Sequence, residues 1–330
     1  TAKSAEVLRG GGVGMILVNL TDSSLDTDKH VIPTVHVNPP ATQTIKDKVT
    51  VAGFLAPAAI LMVVGLVYPA IRTSTLAFTD AGGNANGFDN FVWMFTQPEA
   101  LTTLRNTVIW TVLVPLLSTS FGLAYAVFID KARGEKVLKS LVFMPMAISF
   151  VGAGIIWKLV YDYRGPNIEQ TGVINFFLVS LGMEPKQFLL DAPGNTMFLI
   201  IVMVWIQTGF AMVILSAAIK GVPVELTEAA RLDGANAWQQ FRNVTIPGIR
   251  GALVVVLTTI TIATLKVFDI VRTMTAGNYD TSVVANEMYT QAFRAGEPGR
   301  GAALALILFL MVLPIVVYNA RVLRKQREIH

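Results

Sequence analysis

The chain of 330 residues is 53% hydrophobic and only 15% charged, with a mean hydropathy of +0.57 and a formal net charge of +4. Globular chains carry about 25% charged residues, so this deficit excludes an ordinary soluble domain and points to a surface that mostly meets lipid. Cysteine is absent, and His30, His36 and His330 all lie outside the apolar segments. Disulfides, thiolate metal sites, cysteine nucleophiles and histidine chemistry within the membrane are therefore excluded, and the dispersed positive charge offers nucleic acid no basic stripe.

Residues 1–45 stand apart. Gly10-Gly11-Gly12 precedes the apolar run VGMILVNL, a polar turn follows, and a second strand-like run, HVIPTVHV, ends at Pro39-Pro40. Alternation of short β-like runs with turns is the pattern of a small soluble piece. It resembles a fragment of the protease-associated domain of subtilisin-like proteases, without any of a protease's catalytic residues. So short a piece buries little core by itself, and a weakly ordered arm, fused or artefactual, is expected rather than a functional domain. The run is not read as a secretion signal, because polar, strand-like sequence follows it.

Residues 46–330 carry the membrane pattern. A bilayer core about 30 Å thick needs about 20 helical residues, and runs free of charge extend over Val49 to Ile71, Asn106 to Ile129, Ala192 to Ile219 and Gly301 to Ala320. Ser140 to Trp157 continues past Lys158 to Tyr161, and Gly251 to Ile270 is interrupted only by Lys266 and Asp269. The expectation is an all-α polytopic membrane bundle of six transmembrane helices, near 51–72, 106–129, 140–161, 196–219, 251–271 and 302–321, since a lone strand would leave its backbone unpaired in lipid. Kinks are expected at Pro57, Pro69, Pro115, Pro145 and Pro314. Lys46 and Lys48, the group from Lys131 to Lys139, that from Lys220 to Arg250 and that from Arg321 to Arg327 together outnumber the cations of the opposite loops two to one. The excess of Lys and Arg places both termini in the cytoplasm. Among the opposite loops, 161–195 carries a short apolar piece, Gly172 to Gly182, read as a surface helix, and 79–101 carries turns followed by the amphipathic FDNFVWMF.

Enzymatic signatures are missing. The sequence has no GxxxxGK[ST], GxSxG, HExxH or GxGxxG pattern, so neither catalysis nor a nucleotide site is expected of this chain. Work against a gradient would draw on an ion gradient or on a separate ATPase.

The connection after the fourth span decides between these. Pro223 suits a helix start, Glu225 and Glu228 lie toward the positive end, and Gly234 is placed to end the helix. A second short helix is predicted from Asn236 as cap, with Trp238, Phe241 and Val244 on one face and a stop before Pro247. Such a cytoplasmic helix–turn–helix with an apolar face needs a partner surface. Glu228-Ala229-Ala230, three residues, Gly234, nine residues, then Val244-x-Ile246-Pro247 resembles the EAA loop of bacterial ABC importer permeases, with Val244 and Ile246 as conservative departures. Pro223, Glu225, Leu226, Asp233 and Ala235 are similar to the carbohydrate-importer branch, and Thr281 to Tyr289 with Tyr318 to Arg321 to its α-glucoside and oligosaccharide members. Thr275-Ala276-Gly277-Asn278 departs from the T-x-G-G-P usual there.

The resemblance implies a permease subunit of a bacterial inner-membrane importer of sugars. It also implies alternating access driven by a cytosolic ABC ATPase dimer that uses ATP and Mg, a second homologous permease and an extracytoplasmic sugar-binding protein. This chain would bind no cofactor, and lipid would surround it. Glu225, Glu228, Ala229, Ala230, Asp233, Gly234 and Pro247 would form the ATPase-coupling loop, with Glu228 as polar anchor, the alanines allowing close approach, and Gly221 and Pro247 joining a rigid lever to its two spans.

For the substrate path, Lys266 and Asp269 are three apart on the fifth span and can share a helix face. Ionisable groups at depth pair with each other or line a cavity, and both readings stand. Trp205, Gln207 and Thr208 offer a stacking face with amide and hydroxyl groups suited to a pyranose, or simple packing. The competing class, an ion-coupled secondary transporter or channel, predicts repeated halves and discontinuous helices, and no clear internal duplication is found. A tethered accessory of a secreted protease would rest on the arm alone and leaves the EAA loop unexplained.

Overall fold

A computed structural model describes residues 15–18, 34–37, 42–129 and 132–327; the rest of the arm, with its glycine run and Pro39-Pro40, lies outside the described residues. The chain divides into two compact units, Thr1–Arg72 and Thr73–His330. In the first, β1 (Met15–Val18) and β2 (Thr34–Val37) pair in parallel, Met15 opposite Thr34, within the two runs read as strand-like. Helix α1 (Thr42–Met62) continues through a π turn at Val63–Val67 into α2 (Tyr68–Leu76), so that Val51–Leu76 is one apolar helix of spanning length.

The second unit holds α3 (Asp89–Thr96), α4 (Pro98–Ile129), α5 (Glu135–Phe143), α6 (Phe150–Val160), α7 (Val173–Ser180) and α8 (Gly194–Lys220). Then come α9 (Val224–Leu232), α10 (Ala237–Gly248), α11 (Arg250–Leu265), α12 (Asp269–Met274), α13 (Val284–Phe293) and α14 (Pro298–Arg327). With Val51–Leu76, the helices α4, α8 and α14 are each long and apolar enough to cross a membrane. Two more spans are broken: Glu135–Ala147 meets α6 at 102°, and α10 meets α11 at 69°. Six spans result when each bent pair counts as one. Of the expected proline kinks, Pro145 sits in the 3-10 turn Met144–Ala147 beside the 102° break, and Ser149 restarts the helix by accepting the Gly152 N–H at 3.1 Å. Pro57, Pro115 and Pro314 lie inside helices that run on past them.

Within the second unit the spans through α4, α5–α6 and α8 alternate in direction, with cross-links near their ends. At one end, hereafter the far end, Asn106 of α4 donates to the carbonyls of Asp280 at 2.6 Å and Ser282 at 3.0 Å. There too Asn195 of α8 donates to Tyr279 O at 2.7 Å, and the Tyr161 hydroxyl beyond α6 donates to Phe198 O at 3.2 Å. At the other end, Lys139 of α5 meets Glu135 at 2.8 Å and the Ser216 hydroxyl of α8, and Lys220 pairs with the same Glu135. The surface helix expected within Gly172 to Gly182 is α7, and the amphipathic FDNFVWMF segment forms α3. Ahead of α3, the Asp80 carboxylate accepts the Asn84 N–H at 2.8 Å, and this bond with the Asn84 side-chain amide holds its pKa below the ordinary value.

Helix α8 is the centre of this unit: two thirds of its apolar window is buried, against about two fifths for α4. Leu199, Met203, Met212 and Leu215 of α8 and Trp110 of α4 are fully buried in one core. The crossing is close because both chains are small there; a Cβ on Gly122 would stand 2.5 Å from Ala211 Cβ and 2.8 Å from Met212 N. In a membrane such small-residue contacts replace the hydrophobic drive that water would supply.

Candidate functional site

Between α8 and α11 the chain makes a closed helical hairpin. Pro223, at φ −54° and ψ 130°, precedes α9 rather than forming its first turn, and Glu225 lies in that turn. Leu232 ends the helix because Gly234 stands at φ +82°, a region a β-carbon resists. There the Gly234 N–H donates to Arg231 O at 3.0 Å and the Ala235 N–H to Ala230 O at 2.9 Å, the paired bonds of a Schellman end. Asn236 then caps α10 as the sequence predicts: its Oδ1 accepts the Gln239 N–H at 2.9 Å, and Gln239 Oε1 accepts the Asn236 N–H at 2.8 Å. Two reciprocal caps meeting in three residues make a rigid corner.

The predicted stop before Pro247 is not what the structure shows. Helix α10 carries on through Pro247 to Gly248 because Phe241–Thr245 widens into a π turn, the Ile246 N–H reaching Phe241 O. A proline ring clashes with the carbonyl four residues back, and widening the turn just upstream moves that carbonyl aside; Val63–Val67 stands in the same position before Pro69. The break falls instead at Ile249, buried in the core.

The two feet of the hairpin meet. Val222 and Ile246 pack against the core, and a Cβ on Gly248 would lie 3.0 Å from Val222 Cγ2. The outer surface is bare: Leu232 is 89% exposed, Trp238 66% and Val224 64%. Glu225, Glu228, Ala229, Asp233 and Gly234 are exposed and Ala230 half-buried. The carboxylates of Glu225, Glu228 and Asp233 have no hydrogen bond or ion pair among the described residues. Trp238 and Phe241 lie 5.5 Å apart, as their spacing predicts. Apolar side chains ringed by unpartnered carboxylates, on a segment whose feet are fixed, form a docking surface.

The residues assigned to a substrate path divide. Lys266 and Asp269 do not share a continuous helix: α11 ends at Leu265, Lys266 caps it at φ −98°, Phe268 lies at φ −131°, and Asp269 opens α12. Lys266 is exposed, Asp269 half-buried, and no ion pair joins them. Trp205 is half-buried with its ring 5.6 Å from that of Trp157. The Thr208 hydroxyl donates to Val204 O at 2.7 Å, whereas the buried Gln207 amide has no partner among the described residues. No hydrogen bond or ring contact joins this group to Lys266 or Asp269.

One feature escaped the sequence reading. Loop 275–282 carries Ala276, Tyr279 and Asp280 at φ of 56°, 57° and 60° beside Gly277 at 84°, a cluster of left-handed non-glycine residues that persists only where surroundings over-determine it. Asn106 and Asn195 supply that, with Asn286 donating to Ala276 O at 3.4 Å and Thr275 bonded to Thr281 at 2.6 Å. Its one trace in the sequence is the departure at Thr275 to Asn278. The loop walls a far-end cavity of about 470 Å³ bounded by the end of α6, residues 187–190 and α12.

A six-span helical bundle that carries one braced, bare hairpin between two of its spans has the architecture of a multi-pass membrane subunit. Residues 118–328 match the family described as binding-protein-dependent transport system inner membrane component. The chain belongs to that family, and it is a transport subunit rather than an enzyme. It is 47% identical to the alpha-glucoside transport system permease protein AglF of Rhizobium meliloti, over 81% of this chain and 80% of that protein. It is 46% identical to the osmoprotective compounds uptake permease protein GgtC of Synechocystis, over 84% of this chain and 99% of that one. In fold it is similar to a chain of a bacterial ABC transporter involved in the import of the acidic polysaccharide alginate, with a TM-score of 0.73, 24% identity, and coverage of 86% of this chain and 98% of that chain.

Proposed function

We propose that this chain is the permease subunit of an ATP-driven, binding-protein-dependent importer of sugars, of the α-glucoside or oligosaccharide kind. The observation that carries the reading is the hairpin itself, fixed at its feet and bare over Glu228, Leu232 and Trp238. A cytosolic ABC ATPase dimer, holding the ATP and Mg, takes that surface, and its closing tilts α8 and α11 together. The chain's own part is to receive the motion: Glu228 anchors it, Ala229 and Ala230 allow close approach, and Gly234 with Asp233 keeps the corner stiff. Both termini and the hairpin face the cytoplasm; the far end faces outward to a sugar-binding protein. A second homologous permease completes the path, residues 46–330 form the transport domain and 1–45 an arm outside it. The names of the two sugar- and osmolyte-transporting relatives support the substrate class, and Trp205, Gln207 and Thr208, with Lys266 and Asp269, are the groups of this chain assigned to the path.

Affinity purification of the tagged chain from its native membrane tests the reading. It should bring down an ABC ATPase and a second permease in fixed proportion, and the reconstituted assembly should take up maltose or trehalose only with ATP. A chain that purifies alone and transports on an ion gradient would overturn it.

A further inference from the structure

The far-end cavity is large enough for a ligand of its own, since small-molecule sites measure about 300–1,000 Å³. Its lining combines two kinds of group. Tyr161, Tyr279 and Phe188 supply aromatic surface, and Lys158, Gln187, Arg272 and Asn278 supply polar side chains. None of those four makes a side-chain hydrogen bond or ion pair among the described residues; the Arg272 guanidinium lies 4.9 Å from the centre of the Tyr289 ring. Asp162 also lines the space, its carboxylate accepting from Thr171 at 2.7 Å.

A phosphate or carboxylate would suit the two cations but not the carboxylate beside them. Hydroxyl groups suit both, because each donates and accepts, and the planar forks of Arg, Asn and Gln match neighbouring hydroxyls on a ring whose C–H face lies on an aromatic one. The strained loop 275–282, pinned by buried asparagines, holds Asn278 and Tyr279 in the wall without help from a ligand. A line of ring contacts leads from the cavity wall toward the span interior: Phe188 to Tyr161 at 5.6 Å, Tyr161 to Trp157 at 5.2 Å, and Trp157 to Trp205 at 5.6 Å.

We infer that this cavity is a sugar subsite contributed wholly by this chain, which takes one hexopyranose unit at the far end before the sugar reaches the Trp205 region. The inference rests on the importer reading and its orientation. The test uses the assembled complex in nanodiscs, without ATP or binding protein, titrated with maltose and, separately, with inorganic phosphate. Wild type should bind maltose, and Arg272→Gln, Asn278→Ala and Gln187→Ala should each weaken it by about tenfold, the loss expected when a hydrogen bond to the ligand is removed. Asn278 is exposed and Gln187 half-buried with unshared side chains, so those two variants keep the test sound if Arg272→Gln disturbs packing on Tyr289. Maltose affinity unchanged in all three, or phosphate bound in place of maltose, overturns the subsite. If the importer reading is what fails, the wild-type complex with binding protein and ATP takes up neither maltose nor trehalose.

Discussion

Gly234 and the pair Lys266 and Asp269 show how single residues set this molecule's behaviour. At φ +82° a β-branched side chain at position 234 costs about 1–2 kcal/mol in the hairpin corner. Gly234→Val should therefore leave membrane insertion intact while uptake-linked ATP hydrolysis falls, and Gly234→Asn, which tolerates the left-handed region, should retain most of it. Lys266 and Asp269 were expected on one face because a spacing of three shares a face only if the helix runs on. It does not, and no glycine or proline lies between them to announce the break. Since no ion pair joins them, a double-mutant cycle of Lys266→Met and Asp269→Asn should give a coupling below about 0.5 kcal/mol in complex stability. A larger coupling, read from thermal unfolding, would restore the paired reading. By contrast the Asn236 cap was legible, because an Asn with Gln three positions on leaves the first turn little alternative.

At the scale of elements, the hairpin behaves as one body only if its feet stay together. The chain has no cysteine, and an ideal Cβ on Gly248 lies 3.9 Å from Val222 Cβ, within the range a disulfide spans. The pair Val222→Cys and Gly248→Cys should thus oxidise readily and leave uptake near the reduced level. Loss of uptake on oxidation, restored by reductant, would mean that the feet separate during transport. The α4–α8 crossing gives a second prediction. Gly122→Ala places a methyl 2.5 Å from Ala211 Cβ, and overpacking of this kind costs about 1–3 kcal/mol; the melting temperature of the purified complex should fall, whereas Gly194→Ala, with nothing within 4 Å, should leave it unchanged. The spans themselves were readable from hydropathy, but their breaks were read unevenly. Pro145 marked one. The helix through Pro247 did not follow from the proline rule, because a π turn upstream is an accommodation that residue types do not display.

At the scale of the whole molecule, the proposed orientation rests on the distribution of Lys and Arg. Reporter fusions after Gly134, within Ala235 to Asn243 and after Arg327 should register as cytoplasmic, and those near Asn84, Glu184 and Glu297 as external; one inverted position would sink the six-span arrangement. The strained far-end loop and its cavity were scarcely visible beforehand, since they arise from asparagines brought together across more than 80 residues of sequence. The turn and cap of the hairpin were visible because their residues are local. The hairpin surface carries the proposed function, and Glu228, exposed and without an ion pair among the described residues, is its most direct test. Uptake and ATP hydrolysis should be measured together in proteoliposomes holding the complete complex with Glu228→Arg. The complex should assemble, its uptake should fall to background and its hydrolysis should no longer respond to sugar-loaded binding protein; uptake and stimulated hydrolysis at wild-type rates would overturn the coupling role of the hairpin.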